Sequence, residues 1–186
     1  AWYETALLFR AIAYVGAVAL PILPAFGLSE TYFVLEQSRA KVLFTPAQWR
    51  GVDYTARHES LRALSALRWS FAVGDEARRE QSWAAFIGSA DADAPFELPS
   101  ASADDVALIL FTSGTNAAPK GVLHTHNTLL HEWSRPAFQL TGQFLSVLPA
   151  GHYTGYHYLL RPSTHGVATI YMDQWLPEVA ADLIER

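Results

Sequence analysis

The chain has 186 residues, of which 51% are hydrophobic and 17% are charged. This length and composition are typical of a globular protein with a sizeable core, and they argue against intrinsic disorder. The net charge is −5, without a basic run, so nucleic-acid binding is not indicated. Cysteine is absent, which excludes a disulfide framework and a thiolate metal site.

One uncharged stretch approaches the length of a membrane span. It covers residues 11–29, but Gly16, Pro21 and Pro24 interrupt it, and it is rich in alanine rather than leucine. A helix that crosses a membrane needs about 20 predominantly apolar residues in succession. We therefore interpret residues 17–23 as a buried parallel strand, and we expect no integral membrane span.

Helical and strand patterns alternate along the chain. The predicted helices are 2–15, 29–38, 52–67, 80–87, 127–139 and 176–186, and the predicted strands are 18–23, 41–45, 69–73, 106–111, 122–124, 143–148 and 167–172. Such alternation predicts an α/β fold with doubly wound, mostly parallel sheets and flanking helices. The loop 89–103 is a candidate internal boundary, although its modest length favours a surface connection within one domain.

The most informative stretch is the loop between the strands 106–111 and 122–124. It reads Thr112-Ser-Gly-Thr-Asn-Ala-Ala-Pro-Lys-Gly121. Hydroxyl and backbone N–H groups can donate to phosphate oxygens, glycines allow close approach, and one lysine supplies a positive charge. A turn of small polar residues is the alternative. Pro-Lys-Gly at this distance, between two apolar strands, favours a polyphosphate-binding loop.

The loop is not a P-loop of the G-x-x-x-x-G-K-[ST] type. Counted from Gly114, Lys120 stands in the expected place, but Pro119 replaces the second glycine and Gly121 replaces the Ser/Thr. No helix is predicted to begin at the lysine either. A different arrangement of phosphate-binding groups is therefore indicated.

Residues 112–121 resemble the phosphate-binding signature of the adenylate-forming (AMP-binding) superfamily, roughly Thr-Ser-Gly-Thr-Thr-Gly-x-Pro-Lys-Gly. Asn116 and Ala117 stand where the family usually has Thr and Gly. The chain is most like an acyl-CoA synthetase, which implies the family's α/β fold, ATP, Mg²⁺ and coenzyme A as cofactors, and a small-molecule carboxylic acid as substrate. It also implies a role in fatty acid metabolism and a cytoplasmic location; the oligomeric state stays open, a dimer included.

The resemblance assigns the site residues position by position. The expected cofactor-binding residues are Thr112, Ser113, Gly114, Thr115, Asn116, Lys120 and Gly121, with Thr115 as a Mg²⁺ ligand. In the family, a strand followed by Pro and then His brings a histidine to the junction of the acyl and nucleotide pockets. His152, in the segment Pro149–Gly155, matches that position and is the candidate pocket residue. No residue is assigned a certain catalytic role.

Other polar and aromatic residues carry weaker signals. His124 and His126 on one face of a strand, with His131 in the next helix, make zinc conceivable, but no acidic partner at ligand spacing supports it. Asn127 or Thr128 is predicted to cap that helix. Three tyrosines fit either the lining of an acid pocket or core packing: Tyr153, Tyr156 and Tyr158.

The resemblance covers essentially the whole chain but only part of the family's large N-terminal region. The family's downstream Gly-x-Thr-Glu segment, its ribose-binding aspartate and the lysine of its small C-terminal domain have no match. We therefore expect residues 1–186 to be a partial N-terminal region that is inactive by itself, with the small C-terminal domain absent. Two alternatives are a self-contained, non-catalytic nucleotide- or phosphate-binding module and an adenylation domain that serves a carrier protein.

Overall fold

The structure is a computed structural model that describes residues 2–74, 81–112, 119–133 and 142–185. The chain divides into two compact units. The first unit comprises Ala1–Ala25 and Leu98–Arg186, and the second comprises Phe26–Glu97. The division between residues 97 and 98 falls inside the loop 89–103, whereas the division after residue 25 has no counterpart in the sequence patterns.

Helices and short sheets alternate along the described chain. The helices are α1 (Tyr3–Tyr14), α2 (Leu28–Ser38), α3 (Thr55–Leu61), α4 (Trp83–Gly88), α5 (His126–Trp133), α6 (Tyr153–His165) and α7 (Pro177–Glu185). The strands are β1 (Val42–Pro46), β2 (Gln48–Trp49), β3 (Val52–Asp53), β4 (Trp69–Val73), β5 (Val106–Thr112), β6 (Lys120–Thr125), β7 (Gln143–Ser146) and β8 (Ala168–Tyr171). The pairs β1–β4 and β7–β8 are parallel, whereas β2–β3 and β5–β6 are antiparallel. The predicted α/β class is confirmed.

The core of the first unit packs α1 and α6 against β5. Leu108 of β5 and Leu159 of α6 are fully buried, and Phe9 of α1 meets Tyr156 of α6 edge-on, with ring centroids 5.0 Å apart. The Arg10 guanidinium donates to the Leu159 carbonyl at 3.1 Å. Because each large apolar side chain contributes about 1.5–3 kcal/mol when buried, these contacts hold α6 firmly over the sheet.

The predicted strand 18–23 is reduced to one bridging residue. Ala19 donates to the Ala107 carbonyl and accepts from the Ile109 N–H, both at 2.9 Å, so this segment runs parallel to β5. Pro21 has no N–H group with which to extend the ladder. The direction of the segment was predicted correctly, but its length as a regular strand was not.

Helix α6 is the main element that the sequence patterns missed. Its buried residues include His157 and Arg161 among the apolar ones, so the apolar periodicity that signals an amphipathic helix is broken. Pro162 lies in its last turns, and Gly166, with φ of 67°, ends it in the left-handed conformation. The thirteen-residue helix thus occupies a region for which no helix was predicted and whose tyrosines fitted either pocket lining or core packing.

The second unit is built around the parallel pair β1–β4. The ring of Phe44 on β1 stacks on Phe71 of β4, with centroids 5.4 Å apart, and meets Phe86 of α4 edge-on at 5.0 Å. Ser82 caps α4 by accepting from the Ala85 N–H at 3.1 Å. This aromatic group explains why the short helix packs where it does.

The predicted helix 52–67 is wrong at both ends, because α3 covers only Thr55–Leu61 and residues 62–67 lie beyond it. The first predicted residues, Val52 and Asp53, form β3 of the hairpin β2–β3, whose connecting residues Arg50 and Gly51 have φ of 50° and 75°. Two successive positive φ values match the tight turn that right-handed strand twist favours. Asp53 then accepts from the N–H groups of Thr55 and Ala56, at 2.9 and 3.2 Å, and so begins α3 three residues later than predicted.

Helix α5 begins one residue earlier than predicted and has a different cap. The Thr125 hydroxyl accepts from the Thr128 N–H at 3.3 Å, whereas the Asn127 side chain donates to Asp104 at 2.7 Å. The predicted end of this helix, with Pro136, lies outside the described residues. Within the described ranges no helix is both long enough and apolar enough to cross a membrane.

Candidate functional site

The predicted phosphate loop is closed by an antiparallel hairpin. In the β5–β6 register Thr112 lies directly opposite Lys120, and the Thr112 hydroxyl donates to the Lys120 carbonyl at 3.5 Å. Both residues are exposed. Residues at paired positions of an antiparallel ladder lie only about 5 Å apart, so the loop starts and ends at one point.

Three of the seven predicted cofactor-binding residues are described: Thr112, Lys120 and Gly121. The other four, Ser113, Gly114, Thr115 and Asn116, lie outside the described residues, and with them the predicted Mg²⁺ ligand Thr115. The structure therefore defines the base of the loop and the position of its lysine.

Gly121 has a packing role in this hairpin. A Cβ atom at this residue would lie 3.2 Å from both the Ile109 Cγ2 and the Phe111 Cζ atoms. The Phe111 ring therefore packs against Gly121, and a larger residue at position 121 would displace the ring. Glycine lets Phe111 remain buried directly beside Lys120.

The segment at Ala19 shows which end of the sheet the loop occupies. Ala19 lies beside Leu108 in a parallel bridge, so Leu23 and Thr112, each four residues further on, lie toward the same end. A Cβ added to Gly151 would stand 2.8 Å from the Leu23 nitrogen. The turn after β7 is therefore packed toward the end of β5 at which Thr112 lies.

His152 caps α6 at this turn. Its N–H donates to the Pro149 carbonyl at 3.1 Å, and its Nδ1 accepts from the Thr154 N–H at 3.3 Å. Since Nδ1 is used as an acceptor, the neutral ring carries its proton on Nε2, where it can donate. The side chain is exposed, so His152 presents an oriented N–H group.

The three tyrosines have different surroundings. Tyr156 is 3% exposed and belongs to the core, and burial raises its pKa to about 12. Tyr158 packs against Phe144 with ring centroids 4.6 Å apart. Tyr153 stacks on His124 of β6 at 5.2 Å, with an angle of 29° between the rings. Core packing accounts for Tyr156, whereas Tyr153 connects two parts of the site.

The histidines after the loop do not form a cluster on one strand face. His124 lies on β6, half-buried, and burial lowers its pKa, whereas His126 is the first residue of α5. Across the described ranges no group of three or more His, Asp and Glu side chains is arranged to hold a metal ion.

Arg161 is a buried residue that sequence patterns did not single out. It is 2% exposed, and its guanidinium lies over the rings of Tyr158 and Phe144, 4.8 and 5.4 Å from their centroids. A planar guanidinium stacks well on aromatic faces. The sequence did not predict its burial, since arginine is a residue type that is rarely buried.

Comparisons with known proteins agree with this architecture. The family described as AMP-binding enzyme matches residues 1–186. The medium-chain fatty-acid–CoA ligase of Escherichia coli (strain K12) is 31% identical over 100% of this chain and 34% of its own length. The long-chain-fatty-acid–CoA ligase FadD13 of Mycobacterium tuberculosis is 30% identical over 92% of this chain and 33% of its own.

A solved structure shows the same fold. The N-terminal domain of FACL13 from Mycobacterium tuberculosis superposes with a TM-score of 0.78 at 26% identity, over 99% of this chain and 44% of that one. The chain spans about a third of the length of the curated relatives it matches. The resemblance read from residues 112–121 is confirmed, and the chain belongs to the AMP-binding enzyme family.

Proposed function

We propose that the whole protein is an ATP-dependent acyl-CoA synthetase and that this chain carries its phosphate-binding loop. The observation that carries the proposal is the β5–β6 register, which sets Thr112 opposite Lys120 at the base of the loop in a member of the AMP-binding enzyme family. Residues 1–186 are then a partial N-terminal region, and the small C-terminal domain belongs to the rest of the whole protein.

The proposed reaction has two steps. A carboxylate oxygen of the acid attacks the α-phosphorus of ATP, the bond to the bridging oxygen breaks, and pyrophosphate leaves. The sulfur of coenzyme A then attacks the acyl carbon, the thiol proton is lost, and AMP leaves. The first step brings two anions together, so positive charge and N–H donors fixed around the phosphates lower its barrier most.

The loop suits the phosphate side of this reaction. Because the hairpin fixes both ends of the loop, Thr112 is already held opposite Lys120, and the two residues need not be brought together when ATP binds. Lys120 is exposed and supplies a compact positive charge for the β- and γ-phosphates. Mg²⁺ arrives with the ATP phosphates and neutralises them further, with Thr115 as its proposed protein ligand.

The acid lies on the other side of the site in this proposal. The turn with His152 packs at the same end of the sheet as the loop, as the approach of Gly151 to Leu23 indicates. The oriented Nε2–H group of His152 then faces the acyl end of the substrate as a hydrogen-bond donor. The relatives named above are fatty-acid–CoA ligases, so we propose a fatty acid as the carboxylic acid. ATP and coenzyme A as co-substrates fit a cytoplasmic location.

The test is acid-dependent exchange of pyrophosphate into ATP by the whole protein. Replacing Lys120 by methionine removes a charge-assisted contact worth about 1.5–3 kcal/mol, so exchange falls roughly 10- to 150-fold. The matched control is Lys41→Met, which removes an exposed lysine in the second unit. Its exchange stays within about twofold.

The same assay separates the alternatives. ATP binding without acid-dependent exchange favours a non-catalytic binding module. Exchange without formation of acyl-CoA favours an adenylation domain that serves a carrier protein. The 186-residue chain by itself is expected to form no acyl-AMP, because no segment for adenine or ribose was found in it; robust acyl-AMP formation by that chain contradicts this part of the proposal.

A further inference from the structure

Two elements of the proposed site are joined by a contact between aromatic rings. His124 lies on β6, the strand that begins with Lys120, and Tyr153 is the first residue of α6, directly after His152. The rings are 5.2 Å apart at an angle of 29°. An aromatic stack of this kind contributes about 0.5–1.5 kcal/mol beyond area burial.

The Tyr153 ring has a second aromatic neighbour. Beyond His124, it faces His157 one turn further along α6, with centroids 6.3 Å apart and an angle of 49°. It also packs against the core cluster of the first unit. Through Tyr153, the first turn of α6 therefore contacts His124 of β6 and also His157 in the next turn of its own helix.

Two glycines at this turn lie against other parts of the first unit. Gly151 lies against the backbone of Ile22 and Leu23, and Gly155 lies against the Pro149 carbonyl. These approaches fix the turn relative to the segment beside β5 and to the end of β7. The segment beside β5 also positions the turn relative to β6 through the β5–β6 pairing, and the His124–Tyr153 stack adds a direct contact between α6 and β6.

We propose that His124 is a positioning residue, which through its stack on Tyr153 holds the His152 turn in register with the strand that carries Lys120. This inference rests on the proposed function, in which His152 faces the acid and Lys120 faces the ATP phosphates. His124 touches neither substrate in this account. Lys120 and His124 are four residues apart on one strand, about 13 Å, so β6 links the phosphate side to the acid side.

The neutral ring suits this role. Burial lowers the pKa of His124, so its imidazole is uncharged at neutral pH and stacks without the desolvation cost of a cation. The carboxylate of the acid substrate must approach the α-phosphorus to about 3–3.5 Å, and a misplacement of 1 Å costs roughly 100-fold in rate. Small lateral shifts of the turn are therefore enough to slow adenylation.

The test compares variants of the whole protein in adenylation kinetics. His124→Ala is expected to lower kcat about 10- to 100-fold, while KM for ATP stays within about twofold, because no contact to ATP is removed. His124→Phe keeps a flat ring and restores kcat to within about threefold of the unaltered protein. Leu123→Ala, a change at a 61% exposed neighbour on β6, is the matched control and stays within about twofold.

A second set of variants changes Tyr153, the other residue of the stack. Tyr153→Leu is expected to lower kcat as His124→Ala does, whereas Tyr153→Phe keeps the ring and is expected to leave kcat nearly unchanged. Because one contact is removed by either change, His124→Ala combined with Tyr153→Leu is expected to be no worse than each alone. This non-additivity separates positioning from two independent losses of stability.

Three results overturn the proposal: unchanged kcat in His124→Ala, equal impairment in His124→Phe and His124→Ala, or additive losses in the double variant. Equal impairment in His124→Phe assigns the effect to a ring nitrogen instead of the stack. Failure of the proposed function is distinguishable, because the unaltered protein then shows no acid-dependent exchange at all.

Discussion

Gly151 offers a direct perturbation of the site through the backbone. A Cβ atom added there would lie 2.8 Å from the Leu23 nitrogen, 2.9 Å from the Leu23 Cα and 2.9 Å from the Ile22 carbonyl carbon. All three are backbone atoms, so rotation of a side chain cannot relieve the contacts. Favourable contacts begin at about 3.5 Å, so Gly151→Ala forces the turn and the segment at Leu23 apart by roughly half an ångström.

The size of the effect follows from that displacement. Overpacking of a buried position costs typically about 1–3 kcal/mol, so the free energy of unfolding falls by that amount. His152 follows directly and moves with the turn. A shift of roughly half an ångström corresponds to a loss of about tenfold in kcat/KM, if 1 Å corresponds to about 100-fold.

The assay measures denaturant unfolding and acid-dependent pyrophosphate exchange on the same preparation. The control is Gly88→Ala, because no atom lies within 4 Å of a Cβ placed there. In the last turn of a helix this change is expected to be neutral or to stabilise by up to about 1 kcal/mol. A Gly151→Ala protein with unchanged unfolding and full activity refutes the reasoning that close backbone approach requires this glycine.

Two further predictions concern the cores of the two units. Leu159→Ala, at a fully buried residue, is expected to lower the free energy of unfolding by about 2–5 kcal/mol, whereas Leu98→Ala at a 66% exposed residue changes it by less than about 0.5 kcal/mol; equal effects contradict the assigned core. The pKa of His58 is lowered by burial and by Arg62, with Asp53 opposing. The unfolded chain therefore takes up the proton first as pH falls below about 6.5, and stability drops toward the lower pKa of the folded state. His58→Gln is expected to flatten this decrease in denaturation curves measured at several pH values, and an unchanged slope contradicts the assignment.

The sequence predicted the elements whose apolar residues follow a simple period. Helix α1 and strand β4 were placed within one or two residues because alternation or helical spacing is clear there. Helix α6 was missed because its buried face includes His157 and Arg161, which a search for an apolar stripe counts as exposed. Tertiary packing against α1 and β5, not local propensity, stabilises it.

The site was predicted in part for a similar reason. The loop and His152 were found through a motif, which depends on residue types and spacing within one stretch. The stack of His124 on Tyr153 joins residues 29 positions apart in the sequence, and no local pattern encodes such a contact. The closeness of Gly151 to Leu23 is likewise a property of the folded chain. The cofactor-binding roles of Ser113, Gly114, Thr115 and Asn116 stay predictions.

The central claim is that the whole protein joins an acid to AMP, and the nucleotide products test it most directly. The protein is mixed with ATP, Mg²⁺ and an unbranched fatty acid, without coenzyme A, and the products of a single turnover are analysed by mass spectrometry. Equal amounts of acyl-AMP and pyrophosphate are expected, because attack at the α-phosphorus releases both. Formation of ADP and acyl phosphate, which requires attack at the γ-phosphorus, contradicts the account.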